Sequence, residues 1–331
     1  MVALKKCVAI YPPMLDLFFN VNADFLEANE IEPNAIVGYS TEKHQKLHEG
    51  MMALLENGEK PIVFRAGGAT FNTQKVLSQW MDCYFFGIVG SDRYGEIIEQ
   101  KMQGTAVNIC LDKRERFSTA WAYVFICGDK RANLAYQDKS VCYSSGAKEK
   151  ICSLISKDTV FYFVSFMFFL DNVVSDCIEL YKKKNEIGFC SVVNLSSEEI
   201  ARMFRPRILE IIKMSDFIIG NKEEYFALSG CTDIDSLLAW LDTLGVAYAI
   251  TDGPGEVLGK APGGPLRKTL PFNVPADSVT NGAGDSFAAG FIGGLEGCTN
   301  PAGITDILPL LEKGASASYS HIKSLKKGLA S

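Results

Sequence analysis

The stretch SVTNGAGDSFAAGFIGG, residues 278–294, joins a polar, glycine-rich turn to a run of small and apolar residues at helical spacing. We therefore predict a loop that leads into a buried helix beginning near Asp285 or Ser286. Gly282 and Gly284 lack a Cβ, so the backbone there can turn tightly and present bare N–H groups to an anion. The unpaired N–H groups of the first helical turn, and the positive end of the helix dipole, add to this anion site.

Asp285 lies at the mouth of the predicted anion site. A carboxylate at this position serves either as the N-cap of the helix or as a general base. A phosphate cradle that contains an acid indicates phosphoryl transfer. An ordinary turn with a capping aspartate produces the same local pattern, so the rest of the chain has to decide between the two interpretations.

Composition limits the classes of function. The 331 residues suffice for one large α/β domain, or for a large domain with a small one. The net charge of −6 argues against a general nucleic-acid surface. The cysteines form no C-x-x-C pair and several lie in apolar runs, which indicates reduced, buried thiols. The longest apolar run, residues 160–170, is too short to span a bilayer. We expect a soluble, cytoplasmic protein with no nucleic-acid or membrane partner.

Short β-rich segments alternate with helical patterns along most of the chain. This alternation predicts an α/β fold with a doubly wound, mainly parallel sheet flanked by helices. The predicted buried strands are residues 7–10, 84–90, 160–164, 189–193, 217–220 and 248–251. Between residues 117 and 143 the pattern changes to a hairpin, with strands at 119–126 and 132–136 and a turn at 128–131. We interpret His44 and His48, one helical turn apart, as part of a solvated helix face, because no third metal ligand lies nearby.

Polar residues come at turns and strand ends. Asp16 follows the first predicted strand, where an acid either accepts hydrogen bonds from ligand hydroxyls or is a solvated or turn-capping aspartate. The Gly67-Gly68 pair forms a second glycine turn at a helix N-terminus, with Asn72 early in that helix. Asn221 and Glu224 open a further helix, where they either favour its dipole or help to organise a hydrated Mg²⁺.

Four further candidates lie at strand ends or in the hairpin. Phe166 belongs to an aromatic cluster that either stacks on a flat ligand or packs against a helix. Arg131 lies in the predicted hairpin turn, where its charge is either a solvated tip or reaches a phosphate. Thr251 ends a predicted strand, and Gly253 follows it.

These pieces, in this order, resemble the ribokinase-like (PfkB) carbohydrate and nucleoside kinases from about residue 7 to residue 320. Gly282-Ala-Gly-Asp285, followed by Ser-Phe-Ala-Ala-Gly-Phe, resembles the C-terminal signature of that family, and Gly220-Asn-Lys-Glu-Glu224 resembles its N-x-x-E motif. The glycine turn with the helix after it is closer to the adenosine-phosphorylating members than to the sugar kinases. Further similarities to those members lie at residues 15–16, 128–131, 194–196 and 251–253.

The resemblance implies a large α/β domain of about residues 1–13, 66–112 and 144–331. It also implies a small α/β lid of about residues 14–65 and 113–143. The implied activity is ATP-dependent phosphorylation of the 5′-hydroxyl of a nucleoside, with adenosine as the first candidate and purine salvage as the setting. The implied cofactor is Mg²⁺, ATP is the co-substrate, and the chain is expected to be a monomer.

The resemblance implies catalytic roles at the glycine loop. Asp285 is the base that faces the 5′-hydroxyl, and the amides of Gly282, Ala283 and Gly284 form the anion hole with that of Asp285. Arg131 approaches the phosphate from the lid. We expect the helix N-terminus to lower the pKa of Asp285, giving a weak but ionised base. Phosphoryl transfer is largely dissociative, so little proton abstraction is needed before the new bond forms.

The resemblance also implies two sets of binding residues. The substrate set, in which Phe166 (or Met167) packs on the base and the others hold the sugar, is Asp16, Gly67, Gly68, Asn72 and Phe166. The set near ATP, in which Asn221 and Glu224 order Mg²⁺ through water, is Asn221, Glu224, Thr251 and Gly253.

Two positions depart from the family pattern. Val279 stands where the family usually has an aspartate, and Pro12-Pro13 stands where the adenosine-phosphorylating members commonly have an asparagine. Three alternatives stay open: a kinase for another nucleoside or a sugar, a nucleoside-binding protein with weakened catalysis, and a dinucleotide-binding oxidoreductase. The last is disfavoured because the glycine loop lies near the C-terminus and no G-x-G-x-x-G follows an early strand.

Overall fold

The computed structural model describes residues 2–32, 36–56, 63–128, 130–270, 280 and 282–328. Val279 therefore lies outside the described residues. The strands are β1 (Lys6–Ile10), β2 (Met14–Asn20), β3 (Ile36–Gly38), β4 (Val63–Gly67), β5 (Asp82–Gly90), β6 (Asn108–Arg114), β7 (Ala120–Cys127), β8 (Lys130–Tyr136), β9 (Thr159–Val164), β10 (Cys190–Asn194), β11 (Phe217–Asn221), β12 (Ala247–Thr251), β13 (Val257–Lys260) and β14 (Arg267–Thr269).

The helices alternate with these strands along most of the chain. They are α1 (Ala23–Ala28), α2 (Glu42–Glu56), α3 (Ala69–Leu77), α4 (Arg93–Met102), α5 (Ser145–Leu154), α6 (Asp171–Lys182), α7 (Lys184–Ile187), α8 (Glu198–Met203), α9 (Arg205–Ile212), α10 (Lys222–Ser229), α11 (Ile234–Asp242), α12 (Ala283–Gly293) and α13 (Leu308–Gly328). Two short 3₁₀ helices span Ser165–Phe169 and Pro301–Gly303.

The larger sheet, as far as the described residues define it, has nine strands in the order β14-β13-β12-β11-β10-β9-β1-β5-β6. All neighbours from β12 to β6 pair in parallel, and β12, β13 and β14 form an antiparallel edge. This confirms the predicted mixed α/β fold with a mainly parallel sheet. The strand order reverses at β1, and ligands of open α/β sheets bind outside the carboxyl ends of the strands near such a point.

The two faces of this sheet carry separate apolar cores, because successive strand residues point to opposite sides. In β9, Tyr162 packs into the core that contains α3 and α12, whereas Phe161 and Phe163 pack into the opposite core. All three residues are fully buried. Strands that are apolar on both faces require helices on both sides, which explains the uninterrupted apolar runs in the sequence.

A second sheet has the order β3-β8-β7-β2-β4 within the described residues. Leu15, Leu17, Trp121 and Tyr123 pack from one of its faces into the core shared with α1, α2 and α4. The other face carries Asp16, which lies opposite Arg65 on β4 and Ala122 on β7. That this sheet acts as a lid stays a prediction.

Four local predictions were wrong. Asp16 lies inside β2 rather than past a strand end, and Arg131 lies on β8, paired with Ile126, rather than in the hairpin turn. His44 is 3% exposed, and the His48 ring stacks on Trp121 at 4.4 Å between centroids, so neither lies on a solvated face. The His48 ring is covered by Trp121 and Tyr123 of the small sheet, which are distant in sequence. No helix in the described residues has the length and apolarity needed to cross a membrane.

Helices α12 and α13 pack closely because glycine stands at their contact. A Cβ at Gly290 would collide with the Lys313 carbonyl and lie 2.7 Å from the Ala317 Cβ. A Cβ at Gly293 would lie 2.6 Å from the Trp80 ring. The contact therefore fixes α12, with its glycine-rich N-terminus, against the rest of the core.

We expect Gly290→Ala to lower the free energy of unfolding by about 1–2 kcal/mol, because the strain of overpacking exceeds the gain in helix propensity. Urea denaturation measures this change. Gly146→Ala in α5 is the matched control, since a Cβ there meets nothing within 4 Å; it should raise the stability by up to about 1 kcal/mol. Equal midpoints for Gly290→Ala and the unmodified protein would contradict the close packing.

Candidate functional site

A cavity of about 290 Å³ lies where the carboxyl ends of β9 to β12 meet the N-terminus of α12. Parallel strands end at the same edge, so residues far apart in sequence come together there. The lining residues are Ala69, Phe166, Asn194, Ser196, Ile219, Gly220, Asn221, Glu224, Thr251, Gly284, Asp285 and Phe287. The cavity thus contains six of the predicted site residues: Phe166, Asn221, Glu224, Thr251, Gly284 and Asp285.

Asp285 is the third residue of α12, after Gly282 as N-cap. Gly282 has φ +81°, a left-handed conformation that glycine adopts without a Cβ penalty. Gly282 and Ala283 therefore begin the helix immediately beside the cavity, with their amides in its first turn. The Asp285 side chain does not cap the helix; its Oδ2 accepts a hydrogen bond of 3.1 Å from the Asn72 Nδ2.

The pKa of Asp285 is raised to about 6, chiefly by burial. The Asn72 hydrogen bond and the charges of His321 and Lys75 act in the opposite direction and are weaker. The prediction that the helix N-terminus would lower this pKa was therefore wrong, because the loss of water around the carboxylate dominates. A carboxylate with this pKa is still ionised at neutral pH and is more basic than an exposed aspartate.

The Gly67-Gly68 turn joins β4 to α3, the helix that carries Asn72 to Asp285. Gly68 has φ +99° and is the N-cap of α3. A Cβ at Gly67 would lie 3.1 Å from the Asn72 Oδ1, so glycine allows the Asn72 amide to lie close over the turn. The turn predicted from sequence is thus in contact with the residue that binds Asp285.

Asn221 and Glu224 form a capping box at the start of α10. The Asn221 Oδ1 accepts from the Glu224 N–H at 2.8 Å, and the Glu224 Oε2 accepts from the Asn221 N–H at 2.9 Å. Glu224 is 7% exposed, and burial raises its pKa to about 7. The pair therefore caps α10, and the Glu224 carboxylate lines the cavity as well.

Asn194 and Ser196 line the cavity but were absent from the predicted site set. The Asn194 Oδ1 accepts from both the N–H and the hydroxyl of Ser196, at 3.1 and 3.0 Å. Ser196 has φ +58°, an uncommon conformation for a residue with a Cβ. The sequence signal was the Asn-Leu-Ser run at a strand end, but the strained backbone of Ser196 has no local signature.

Eight predicted residues are not among those that line this cavity. They are Gly67, Gly68, Asn72, Gly282 and Ala283, described above, and Asp16, Gly253 and Arg131. Asp16 lies on β2 of the smaller sheet, where burial raises its pKa to about 6 and the Arg65 charge opposes the rise. Gly253 lies in the turn after β12, with φ +51° and nothing near its missing Cβ. The backbone of Arg131 is on β8, and its side chain lies outside the described residues.

Known proteins are similar to this chain in sequence and in fold. Adenosine kinase 2 from Arabidopsis thaliana is 25% identical over 304 residues, which cover 86% of this chain and 85% of that protein. The structure of Anopheles gambiae adenosine kinase in complex with P1,P4-di(adenosine-5) tetraphosphate matches with a TM-score of 0.71 at 23% identity, over 96% of this chain and 95% of the other. A probable sugar kinase from Rhizobium etli matches with a TM-score of 0.75 at 19% identity, over 96% and 92%.

Proteins named as adenosine kinases and a protein named as a probable sugar kinase therefore share this fold. The fold alone does not distinguish a nucleoside from a sugar as the acceptor. The model of the pfkB family of carbohydrate kinases matches residues 25–299. This match spans most of the chain and includes the glycine-rich loop and the N-x-x-E segment. The chain belongs to the pfkB family of carbohydrate kinases.

Proposed function

We propose that this chain transfers the terminal phosphoryl group of ATP to the 5′-hydroxyl of a nucleoside, with adenosine as the first acceptor. The observation that carries the proposal is Asp285, a buried carboxylate in the first turn of α12 that lines a cavity at the strand ends. Its raised pKa of about 6 suits a base that accepts a proton at neutral pH. The named adenosine kinases among the relatives support the choice of acceptor.

The amides at the start of α12 support the phosphoryl-transfer step. The Ala283 N–H already donates to the Thr280 carbonyl at 3.0 Å, so we assign the phosphate to the amides of Gly282, Gly284 and Asp285. A helix N-terminus offers unpaired N–H groups and a positive dipole end, which neutralise the equatorial oxygens of a migrating phosphoryl group. Because the reaction is largely dissociative, charge neutralisation and alignment of the hydroxyl contribute more than a strong base does.

The two sides of Asp285 suggest where each substrate lies. Asn72 binds one side of the carboxylate, and α3 with the Gly67-Gly68 turn leads from there to Asp16 on the smaller sheet. Thr251 and Glu224 lie on the other side of the cavity, at β12 and α10. We assign the acceptor nucleoside to the side of Asn72 and ATP to the side of Thr251, with Asp285 between them.

Membership of a kinase family implies ATP and, in general, Mg²⁺. The described residues hold no group of three acidic, histidine or cysteine side chains that would bind a metal ion by themselves. Mg²⁺ in kinases keeps several waters and takes the rest of its ligands from phosphates, and the Glu224 carboxylate in the cavity wall fits such a site. When bound, the ion would neutralise phosphate charge; Asn221 and Glu224 are the residues that would hold it, through water.

Asp285→Asn should lower kcat by about 100-fold or more, because the amide cannot accept the hydroxyl proton but keeps the size of the side chain. The KM for the nucleoside should change little. Steady-state kinetics with ATP and adenosine measure both values. An unchanged kcat would mean that Asp285 is not the base.

The pH profile tests the state of Asp285. Since the base must be ionised, kcat/KM should rise with pH, reach half its plateau near pH 6 and stay level above it. A second rise in kcat/KM near pH 7, which changes with the concentration of Mg²⁺, would instead reflect the titration of Glu224. A profile that is flat from pH 5 upward would contradict the raised pKa of Asp285.

Acceptor specificity is tested by a screen of adenosine, guanosine, inosine, ribose and fructose 6-phosphate. We expect adenosine to give the highest kcat/KM, and Asp16→Ala to raise the KM for the nucleoside while kcat changes less, because a partner of the sugar hydroxyls is lost. Turnover of a sugar but not of adenosine would favour the sugar-kinase alternative. Binding of adenosine without turnover of ATP would favour a nucleoside-binding protein.

A further inference from the structure

A series of buried hydrogen bonds lies beneath the cavity, on the sheet face that packs against α3. The Tyr162 hydroxyl accepts a hydrogen bond from the Asn194 Nδ2 at 2.9 Å and lies 3.3 Å from the Thr73 Oγ1. Tyr162 and Thr73 are fully buried, and Asn194 is 7% exposed. Hydrogen bonds in such a dry environment hold their partners firmly, because an unmade bond there costs about 1–3 kcal/mol.

The direction of the bond to Asn194 follows from the groups involved. An amide N–H donates, so the Tyr162 oxygen accepts from Asn194. Between the Tyr162 and Thr73 hydroxyls either oxygen can donate. Burial, with the nearby charge of Asp285, raises the pKa of Tyr162 above its usual range. The phenol therefore keeps its proton at neutral pH and bonds to both neighbours at once.

The two ends of this series of hydrogen bonds, Thr73 and Asn194, lie beside Asp285 and beside the cavity wall. Thr73 directly follows Asn72, whose amide binds Asp285 from the next position around α3. Asn194 holds the strained Ser196 in the cavity wall through its Oδ1. Helix α3 is thus attached to Asp285 by one residue and to the end of β10 by the next.

We propose that Tyr162 is a positioning residue, whose hydroxyl ties α3 to the end of β10 and so keeps Asn72 in place for Asp285. This inference rests on the proposed function, and it assigns no contact of Tyr162 with either substrate. Loss of the hydroxyl would let α3 and the β10 end move apart by fractions of an ångström, enough to misalign the base and the acceptor.

Tyr162→Phe removes the hydroxyl and keeps the ring. We expect kcat to fall about tenfold while the KM for the nucleoside stays within about twofold. Thr73→Val should cause a similar loss, and Thr73→Ser, which keeps a hydroxyl, should retain kcat within about twofold. The double variant with Tyr162→Phe and Thr73→Val should be no slower than Tyr162→Phe alone, because Tyr162→Phe already breaks the Tyr162–Thr73 hydrogen bond that Thr73→Val removes.

Tyr143→Phe is the matched control, since the Tyr143 hydroxyl donates to the Phe86 carbonyl at 2.8 Å in the opposite core. It removes a buried hydroxyl of the same kind and should leave kcat within about twofold. Equal kcat values for Tyr162→Phe and Tyr143→Phe would overturn the inference. Losses that multiply in the double variant would overturn it too.

A readout without turnover separates this inference from the proposed function. Amide hydrogen exchange in the unliganded protein should be faster in α3 for Tyr162→Phe than for Tyr143→Phe, whether or not the protein phosphorylates adenosine. If the unmodified protein turns over none of the acceptors, the proposed function fails, and the exchange rates alone decide the role of Tyr162. Unchanged protection of α3 would then overturn it.

Discussion

The close contact of α12 with α13 and Trp80 is the constraint on which the site depends. Asp285 and the amides proposed to bind the phosphate belong to the first turn of α12, so their position is set by where the whole helix packs. Glycine at positions 290 and 293 lets the helix approach its neighbours without a Cβ. A displacement of α12 would separate Asp285 from Asn72, because these groups come from different elements and meet through a single hydrogen bond of 3.1 Å. The packing of small residues thus sets the geometry of the proposed chemistry.

Burial raises the pKa of Asp285, and the Asn72 hydrogen bond with the charges of His321 and Lys75 opposes the rise only in part. The result suits transfer to a hydroxyl better than the low pKa expected from the helix alone. A pKa of about 6 leaves the carboxylate ionised at neutral pH, yet it increases the driving force for accepting a proton. The burial of this one side chain therefore gives the proposed base its strength.

Much of the fold was readable from the sequence, because apolar strands, glycine turns and caps are local patterns. The large parallel sheet, the capping box at Asn221 and the helix after the glycine loop all follow from residues near one another. Features that depend on distant segments were not readable. Asp16 alternates with Leu15 and Leu17 in a strand pattern, but the partners β4 and β7 that make it part of a second sheet lie far along the chain. His48 likewise owes its burial to Trp121.

In β9, the side chain that points to the cavity side of the sheet does more than fill the core. Phe161 and Phe163 fill the opposite core, and a phenylalanine at position 162 would fill the near core with no hydroxyl of its own to satisfy. A buried phenol must satisfy its hydroxyl, and Tyr162 does so with Asn194 and Thr73, which belong to different elements. Ser196 adds strain in the same place, since its positive φ is held by the Asn194 side chain. Polar groups and strain that cost stability are therefore concentrated where α3, β9 and β10 converge under the cavity, which is the distribution expected where geometry, rather than stability, is being maintained.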